Sequence, residues 1–497
     1  MTPQAARRLW KPAVLVLLAV WLLAVGARHE PWADEAQAWL LARDSGLVEL
    51  LATRVRYEGT PPLWHLVLWL CIRGGLAYEQ IHLVSSACAL GGAAIILWRA
   101  PFPPLLRVLL VASYFPAYQF AVVARSYALD LLLLPALASL FAARKDRPLA
   151  YAGLIGLLAL SNAHSFVIAG LLGLEFAWTL LRSGALRARR GWGALALAGG
   201  LGLLAAASAW QPADNGFAIT GQEKPPVAIG ARYLAEALID RPLFLSRDAP
   251  RTGDVLQGLG LSLAALAISW AALVRAGRGL LATAVLGGLL AFSVLVHSAV
   301  WHAGLFFLAW VFLLWISWPG LREADRIRPL VTAALAAVLA VQTGQAAMTG
   351  LWDLRATYSP GLAVADAIAA WRRTQPQDGR VAVAGFKAFS VQSGFSANVF
   401  ANYEGGAPSP AYVLWNGGHN WRTAYARREA LRAFADGYGL VVVSRMNMTP
   451  ADLAAVRAGA LQGGYRESLH PGQLMWKNYA REDETLMVFR RADRPAD

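Results

Sequence analysis

PPLWHLVLWLCI, residues 61–72, is apolar enough for a bilayer and too short to cross one. A spanning helix needs roughly 17 to 25 residues, and Arg73 ends this run after about a dozen. How it is read decides the parity of every later crossing. Counted as a span, it would place Arg144, Lys145 and Arg147 outside the cell; read as a helix lying on or dipping into the outer face, it leaves every strongly basic loop inside. The second reading is the one the charges support.

Working outward from that segment, apolar runs of spanning length fall near 12–27, 80–98, 105–121, 127–143, 149–163, 166–181, 193–209, 255–274, 280–299, 303–319 and 329–350. The chain is therefore expected to be a polytopic α-helical membrane protein with about eleven transmembrane helices. Arg7, Arg8 and Lys11 before the first run put the N-terminus in the cytoplasm. That run has signal-peptide features, with small residues Ala24 to Ala27 after it, but the many later spans favour an uncleaved anchor. Clusters at Arg182 to Arg190, Arg275 and Arg278, and Arg322 to Arg328 also fall inside.

Composition agrees. Of 497 residues, 57% are hydrophobic and 15% charged, where a soluble protein carries roughly a quarter charged; mean hydropathy is +0.43. The net charge of +14 lies in short loops, so it reports topology and a membrane-lipid environment rather than nucleic acid. Cys71 and Cys88 sit inside apolar segments without metal-ligand spacing, so neither a disulfide framework nor a zinc site is indicated.

After about Leu351 the apolar runs shrink to strand length. VAVAG at Val381, LVVVSR at Leu440 and TLMVFRR at Thr485 read as strands, and ARREALRAFADGYG around Arg427 reads as an amphipathic helix ending at Gly437 or Gly439. Two domains are expected: a membrane domain over 1–350, with juxtamembrane helices in its first outer loop, and a C-terminal α/β soluble domain over 351–497, outside the membrane. No P-loop or nucleotide-binding glycine pattern supports a nucleotide-driven mechanism.

The charged and histidine-bearing outer connections concentrate the chemistry. The first, Arg28 to Tyr78, holds Asp34 and Glu35 between Trp32 and Trp39, and carboxylates at the membrane edge are costly enough to be functional candidates. They also suit the acidic start of an interfacial helix. The second carries Arg125, Tyr127 and Asp130. Asn162 and His164 at a third could line the same cavity or cap a helix. The fourth, about Gln211 to Asp254 with Gln222, Glu223, Lys224 and Pro225, is long enough for a partly mobile cover; the fifth contributes His297 and His302. In the C-terminal domain Tyr403, Tyr412, Trp415 and Trp421, with Asn416 and His419, could stack on sugar rings or form core.

Three of these features together resemble the GT-C superfamily of polyprenyl-phosphate-sugar-dependent glycosyltransferases, in particular the protein O-mannosyltransferase and lipid A aminoarabinose transferase branch. They are the Asp34-Glu35 pair soon after the first span, the E-x-x-P-P-L segment Glu58 to Leu63 opening a juxtamembrane helix, and R-x-Y-x-x-D at Arg125 to Asp130. They cover about the first third of the chain. The resemblance implies an inverting transferase of the bacterial inner membrane. It would move a hexosyl or pentosyl group from a polyprenyl-phosphate donor to a lipid, glycan or protein acceptor on the periplasmic side. Asp34 would be the general base, with Glu35 and Asp130 in the catalytic set and Asp130 orienting acceptor or Arg125. Arg125, Arg56 or Arg54, with Tyr127, would hold the donor phosphate.

The same branch implies one divalent metal ion, here on Glu58 with His302 or His297. The sequence departs from the pattern at one point: Gly59 and Thr60 separate Glu58 from Pro61-Pro62, and no lysine precedes the proline pair. A lipid or glycan transporter and a ligase or polymerase using a diphosphate-linked donor are the competing functions. Transporters place ionisable groups near the midplane, whereas the candidates here gather at one face.

Overall fold

A computed structural model describes residues 3–216, 225–242, 245–322, 325–374, 379–416 and 423–492. Gln222 to Lys224 of the expected cover, and His419 and Trp421, lie outside the described residues.

Helix α1 (Pro3–Gly26) leads into four short pieces, α2 (Ala33–Asp44), α3 (Leu47–Glu49), α4 (Val55–Glu58) and α5 (Leu63–Arg73), with a π-helical turn at Leu50–Arg54 joining α3 to α4. The deciding segment is thus an eleven-residue helix, started after Pro62 and stopped at Gly74 and Gly75, the latter at φ 94°. The bundle continues with α6 (His82–Arg99), α7 (Pro104–Ala112), α8 (Ala128–Leu140), α9 (Pro148–Ala159), α10 (Ala163–Arg182), α11 (Arg189–Ala209), α12 (Pro226–Ala237), α13 (Thr252–Arg275), α14 (Gly279–Leu295), α15 (Ala303–Ser317) and α16 (Ile327–Asp353).

Ten of the eleven expected spans each hold one helix, and seven helices among the described residues are long and apolar enough to cross a membrane: α1, α10, α11, α13, α16, and α6 and α15 with their adjoining 3-10 turns. Helices α8, α9 and α14 are shorter apolar helices. The expected run 105–121 is broken. Ser113 is extended at ψ 164° and Pro116 has no N–H to continue the ladder, so α7 stops at Ala112 and a π-helical turn, Phe115–Gln119, follows. Between α11 and α13, Pro226 opens α12, whose Ile229, Tyr233 and Ala237 are buried at one-turn spacing.

Packing explains the order. Helix α15 is apolar on all sides, and 89% of its spanning window is buried, so it forms the centre of the bundle. Gly92 lets α6 approach α8 closely, since a Cβ there would lie 1.9 Å from the Leu131 carbonyl oxygen. At one end the basic connections converge: Arg144 pairs with Glu175 at 2.9 Å, Arg278 reaches the same carboxylate at 3.7 Å, and Arg275 meets Asp325 at 3.3 Å.

Beyond α16, α17 (Gly361–Thr374), α18 (Thr423–Ala435) and α19 (Pro450–Gln462) surround a sheet of β1 (Val381–Ala384), β2 (Leu440–Ser444), β6 (Leu486–Arg491) and β3 (Tyr465–His470), in that order. β1 and β2 are parallel, while β6 is antiparallel to both β2 and β3. Val381, Val383 and Val442 face α17, and Ala382, Val441 and Val443 face α18 and α19. Both faces being covered explains the uninterrupted apolar strands.

A separate hairpin, β4 (Gln473–Trp476) and β5 (Tyr479–Asp483), leaves this sheet and enters the bundle. Its two-residue tip, Lys477 at φ 45° and Asn478 at φ 68°, suits a tight primed turn. The Lys477 N–H donates to the Tyr114 hydroxyl at 3.0 Å, and the Asn478 N–H donates to Thr349 Oγ1 at 2.8 Å. Lys477 Nζ donates to the Glu236 carbonyl at 2.7 Å.

Candidate active site

Helix α2 follows α1, and its first turn holds Asp34 and Glu35. The two carboxylates have different surroundings. Glu35 is fully buried, accepting from the Ala124 N–H at 2.6 Å and the Trp32 N–H at 3.1 Å and lying 3.2 Å from His29 Nε2. It ties α2 to the loop before α8. The other ring nitrogen of His29 lies 2.9 Å from Asp353, which also accepts from the Tyr118 hydroxyl at 2.9 Å. Burial alone would lower the His29 pKa, but Asp353 and Glu35 outweigh it and raise it to about 10.

Asp34 points the other way and meets Arg125, Nη1 to Oδ2, at 2.6 Å, with side-chain exposures of 24% and 23%. The approach is off the N–H direction, so charge rather than an aligned hydrogen bond holds the pair. The Arg125 guanidinium lies among three aromatic rings, 5.7 Å from Trp32, 5.4 Å from Tyr127 and 5.2 Å from Trp301. Burial raises the Asp34 pKa and Arg125 opposes it; burial also works against the charge on Arg125, which Asp34 more than restores.

The C-terminal domain supplies the opposite wall. Lys387, in the 3-10 segment Phe386–Gly394, lies 5.8 Å from the Trp32 ring and donates to Glu482 at 2.9 Å and to Glu484. Burial pushes the Glu484 carboxyl up to about 8, with Lys387 opposing. Burial would lower the Lys387 pKa, but the two glutamates raise it. Trp32 therefore has cations from both domains near its ring. Further bonds fix this wall on α2: Gln37 and Val413 exchange two hydrogen bonds, at 2.8 and 2.9 Å, and Asp44 accepts from the Ala411 N–H at 3.0 Å.

The other candidates occupy several environments. Tyr127 stands beside Arg125. Asp130 has no bond to Arg125; it accepts from Ser161 at 3.1 Å, Ser165 at 2.8 Å and Asn162 at 2.6 Å, which pins α8 to the α9–α10 junction. Asn162 also caps α10 through the Ser165 N–H. Arg56 donates to the Trp210 carbonyl at 3.0 Å and Arg54 to Glu49, so both are engaged away from Arg125.

His164 and His297 stack near His302, with ring centroids at 4.1 and 5.2 Å, and Tyr127 lies 5.6 Å from His302. Burial lowers the His297 pKa, and Arg125 adds to the effect. Glu58 accepts on Oε1 from Gln37 at 2.8 Å and Trp415 at 2.9 Å. Burial lifts its carboxyl to about 7. Among the described residues no three His, Cys, Asp or Glu side chains are grouped so as to hold a metal ion.

Two features had no distinct sequence signal: Lys387, an isolated lysine after a strand, and the β4–β5 hairpin, whose WKNY tip resembles any polar turn. Trp32 and Trp301 could have been found as aromatics flanking membrane-edge charges. A small apolar cavity also lies among α6, α7, α8 and α15, lined by Ala93, Ala138 and Phe312 among others. Its walls α7 and α8 flank the loop that carries Arg125.

No family model and no curated protein matches the chain. Among solved structures it pairs with ArnT from Cupriavidus metallidurans bound to undecaprenyl phosphate, at 14% identity over 97% of each chain and a TM-score of 0.42. Similarity at that level transfers no residue role.

Proposed function

We propose that this membrane protein is an inverting glycosyltransferase that takes a sugar from a polyprenyl-phosphate donor at the outer face of a bacterial inner membrane. The Asp34–Arg125 pair carries the reading: a membrane-edge carboxylate in contact with a guanidinium that aromatic rings hold in place. The motif resemblance of the first third of the chain supports the same chemistry.

In this scheme the donor phosphate competes with Asp34 for Arg125. Once the phosphate takes the guanidinium, Asp34 loses its counter-charge in a half-buried setting and becomes a stronger base. The acceptor hydroxyl gives its proton to Asp34, its oxygen bonds to the anomeric carbon, and the carbon–oxygen bond to phosphate breaks. The phosphate leaves with the electron pair, and Arg125 stabilises the developing charge. Glu35 and His29 position the helix start, and Asp130 positions the Arg125 loop from below. The apolar cavity among α6, α7, α8 and α15 would take part of the isoprenoid chain. With N-terminal Lys and Arg inside, the site and the C-terminal domain face the periplasm.

The test is transfer of labelled sugar from a polyprenyl-phosphate donor by the purified full chain in lipid. Transfer by the wild type and its loss in Asp34→Asn are expected; unchanged transfer in Asp34→Asn would remove Asp34 as the base.

A further inference from the structure

The 3-10 turn Val300–His302 sets two side chains near Arg125. Trp301 is one of the rings that hold the guanidinium, at 5.2 Å, and meets Trp32 edge-on at 5.6 Å. His302, the next residue, lies 5.6 Å from Tyr127, which is itself 5.4 Å from Arg125. We propose that the Nε2–H of His302 is a second hydrogen-bond donor to the phosphate that Arg125 takes. This rests on the glycosyltransferase reading above and adds a substrate contact to that same site.

The hydrogen bonds fix which ring nitrogen donates. The Ala299 N–H donates to His302 Nδ1 at 2.8 Å. A backbone amide nitrogen can only donate, so Nδ1 presents its lone pair and the ring hydrogen is on Nε2. Among the described residues Nε2 has no hydrogen-bond partner, and it is not sealed in protein as Nε2 of His164 is. His302, only 6% exposed, thus keeps one N–H open.

The plane of the ring is held as well. His164 lies over it, with centroids 4.1 Å apart and planes tilted by 31°, while His297 and Tyr127 meet it edge-on at 68° and 74°. The Tyr233 hydroxyl fixes the backbone by donating to the His302 carbonyl at 3.3 Å. An N–H clamped in this way loses little freedom when a ligand arrives.

Phosphate is the group this N–H suits. Each nonbridging phosphate oxygen has more than one lone pair, so the Arg125 fork leaves room for a further N–H. Charge grows on those oxygens as the sugar leaves, and a fixed N–H gains strength with it. A metal ion on Nε2 would need a lone pair there, and hence a hydrogen on Nδ1, where the Ala299 N–H already points.

Two substitutions separate this role from a structural one. His302→Asn puts an amide oxygen near Nδ1, keeping an acceptor for Ala299 and dropping the Nε2–H; His302→Gln puts an amide N–H near Nε2. With the full chain in lipid nanodiscs, His302→Asn should lower decaprenyl phosphate affinity and kcat/KM for the sugar donor by about 10- to 100-fold. His302→Gln should recover most of both. Nitrogen-15 NMR of the histidine-labelled wild type, with His302→Asn assigning the signal, should show hydrogen on Nε2 alone, and decaprenyl phosphate should shift that nitrogen. His302→Asn at wild-type strength, His302→Gln no stronger than His302→Asn, or hydrogen on Nδ1 would each overturn the contact. Any of these with sugar transfer by the wild type leaves the transferase reading standing. The expected pattern of decaprenyl phosphate binding without sugar transfer by the wild type would support the contact and sink that reading.

Discussion

Asp34 Oδ2 and Arg125 Nη1 lie 2.6 Å apart, joining the first turn of α2 to the loop before α8. If Asp34 is the base and Arg125 the phosphate partner, removing each should have a different kinetic signature. Asp34→Asn should cut turnover by about 10²- to 10⁴-fold and lower donor KM, because it also frees Arg125 for the phosphate. Arg125→Ala should raise donor KM and lower kcat, and Arg125→Lys should recover only part, because a point charge lacks the guanidinium fork. Steady-state kinetics with varied donor separates the two; equal effects on kcat alone would count against the division of roles.

The C-terminal domain should tune the base. Asp34 must be ionised to accept the proton, and burial raises its pKa above the ordinary aspartate range, so activity should fall as pH drops through that raised value. Glu482 pushes the pKa further up and Lys387 pulls it down. Glu482→Gln should therefore move the acid limb of donor-saturated turnover to lower pH, and Lys387→Met should move it to higher pH. Limbs that stay in place in both variants would disconnect the domain from the base.

Much of this arrangement was legible in the chain. Periodicity and basic loops located the helices, and the shortness of residues 61–72 set the parity that gathers Asp34, Arg125 and His302 on one side. Asp34 and Arg125 do meet. Asp130, Asn162 and Glu35 carry the same residue types, yet their oxygens and amides are taken up by Ser161, Ser165, Ala124 and His29. Spacing cannot distinguish a carboxylate that satisfies a helix junction from one that faces a substrate, because the partners come from distant segments. Lys387 was hidden for the same reason: it acquires meaning only when the C-terminal domain packs on α2.

The apolar cavity among α6, α7, α8 and α15 gives a test of donor placement. Ala93→Phe or Ala138→Phe would fill part of it. Each should raise the KM for a long-chain donor severalfold and leave a short-chain, water-soluble analogue little affected. Equal effects on both donors would place the isoprenoid elsewhere.

His29 should set an alkaline limit on stability. Its folded pKa of about 10 lies above the ordinary 6.5, so the stabilisation from Glu35 and Asp353 is fully present below about 6.5 and is lost as pH rises through about 10. Removing the imidazole leaves two buried carboxylates without their shared partner, a loss of about 3–5 kcal/mol. Thermal unfolding of the wild type should weaken across that window, whereas His29→Gln should start lower and change less with pH. Parallel curves would mean that the histidine is neutral in the folded protein.

The β4–β5 hairpin should be what locks the C-terminal domain to the bundle. Its tip enters as a complete polar unit: the Lys477 and Asn478 amides find Tyr114 and Thr349, Lys477 Nζ finds the Glu236 carbonyl, and Arg241 donates to the Lys477 carbonyl at 3.0 Å. Thr349→Val deletes one acceptor and strands a buried N–H, which costs about 1–3 kcal/mol. Asn478→Val forces a β-branched residue to a φ of 68°, where asparagine and glycine are tolerated. Both should speed hydrogen exchange in residues 473–483 and in the 386–394 segment that carries Lys387. Asn478→Gly keeps the backbone conformation and should leave exchange near wild type, which separates the turn geometry from the loss of a side chain. If Thr349→Val and Asn478→Val exchange like the wild type, the domain is held by its other bonds, to α2, Glu30 and Glu58, and the hairpin is a passenger.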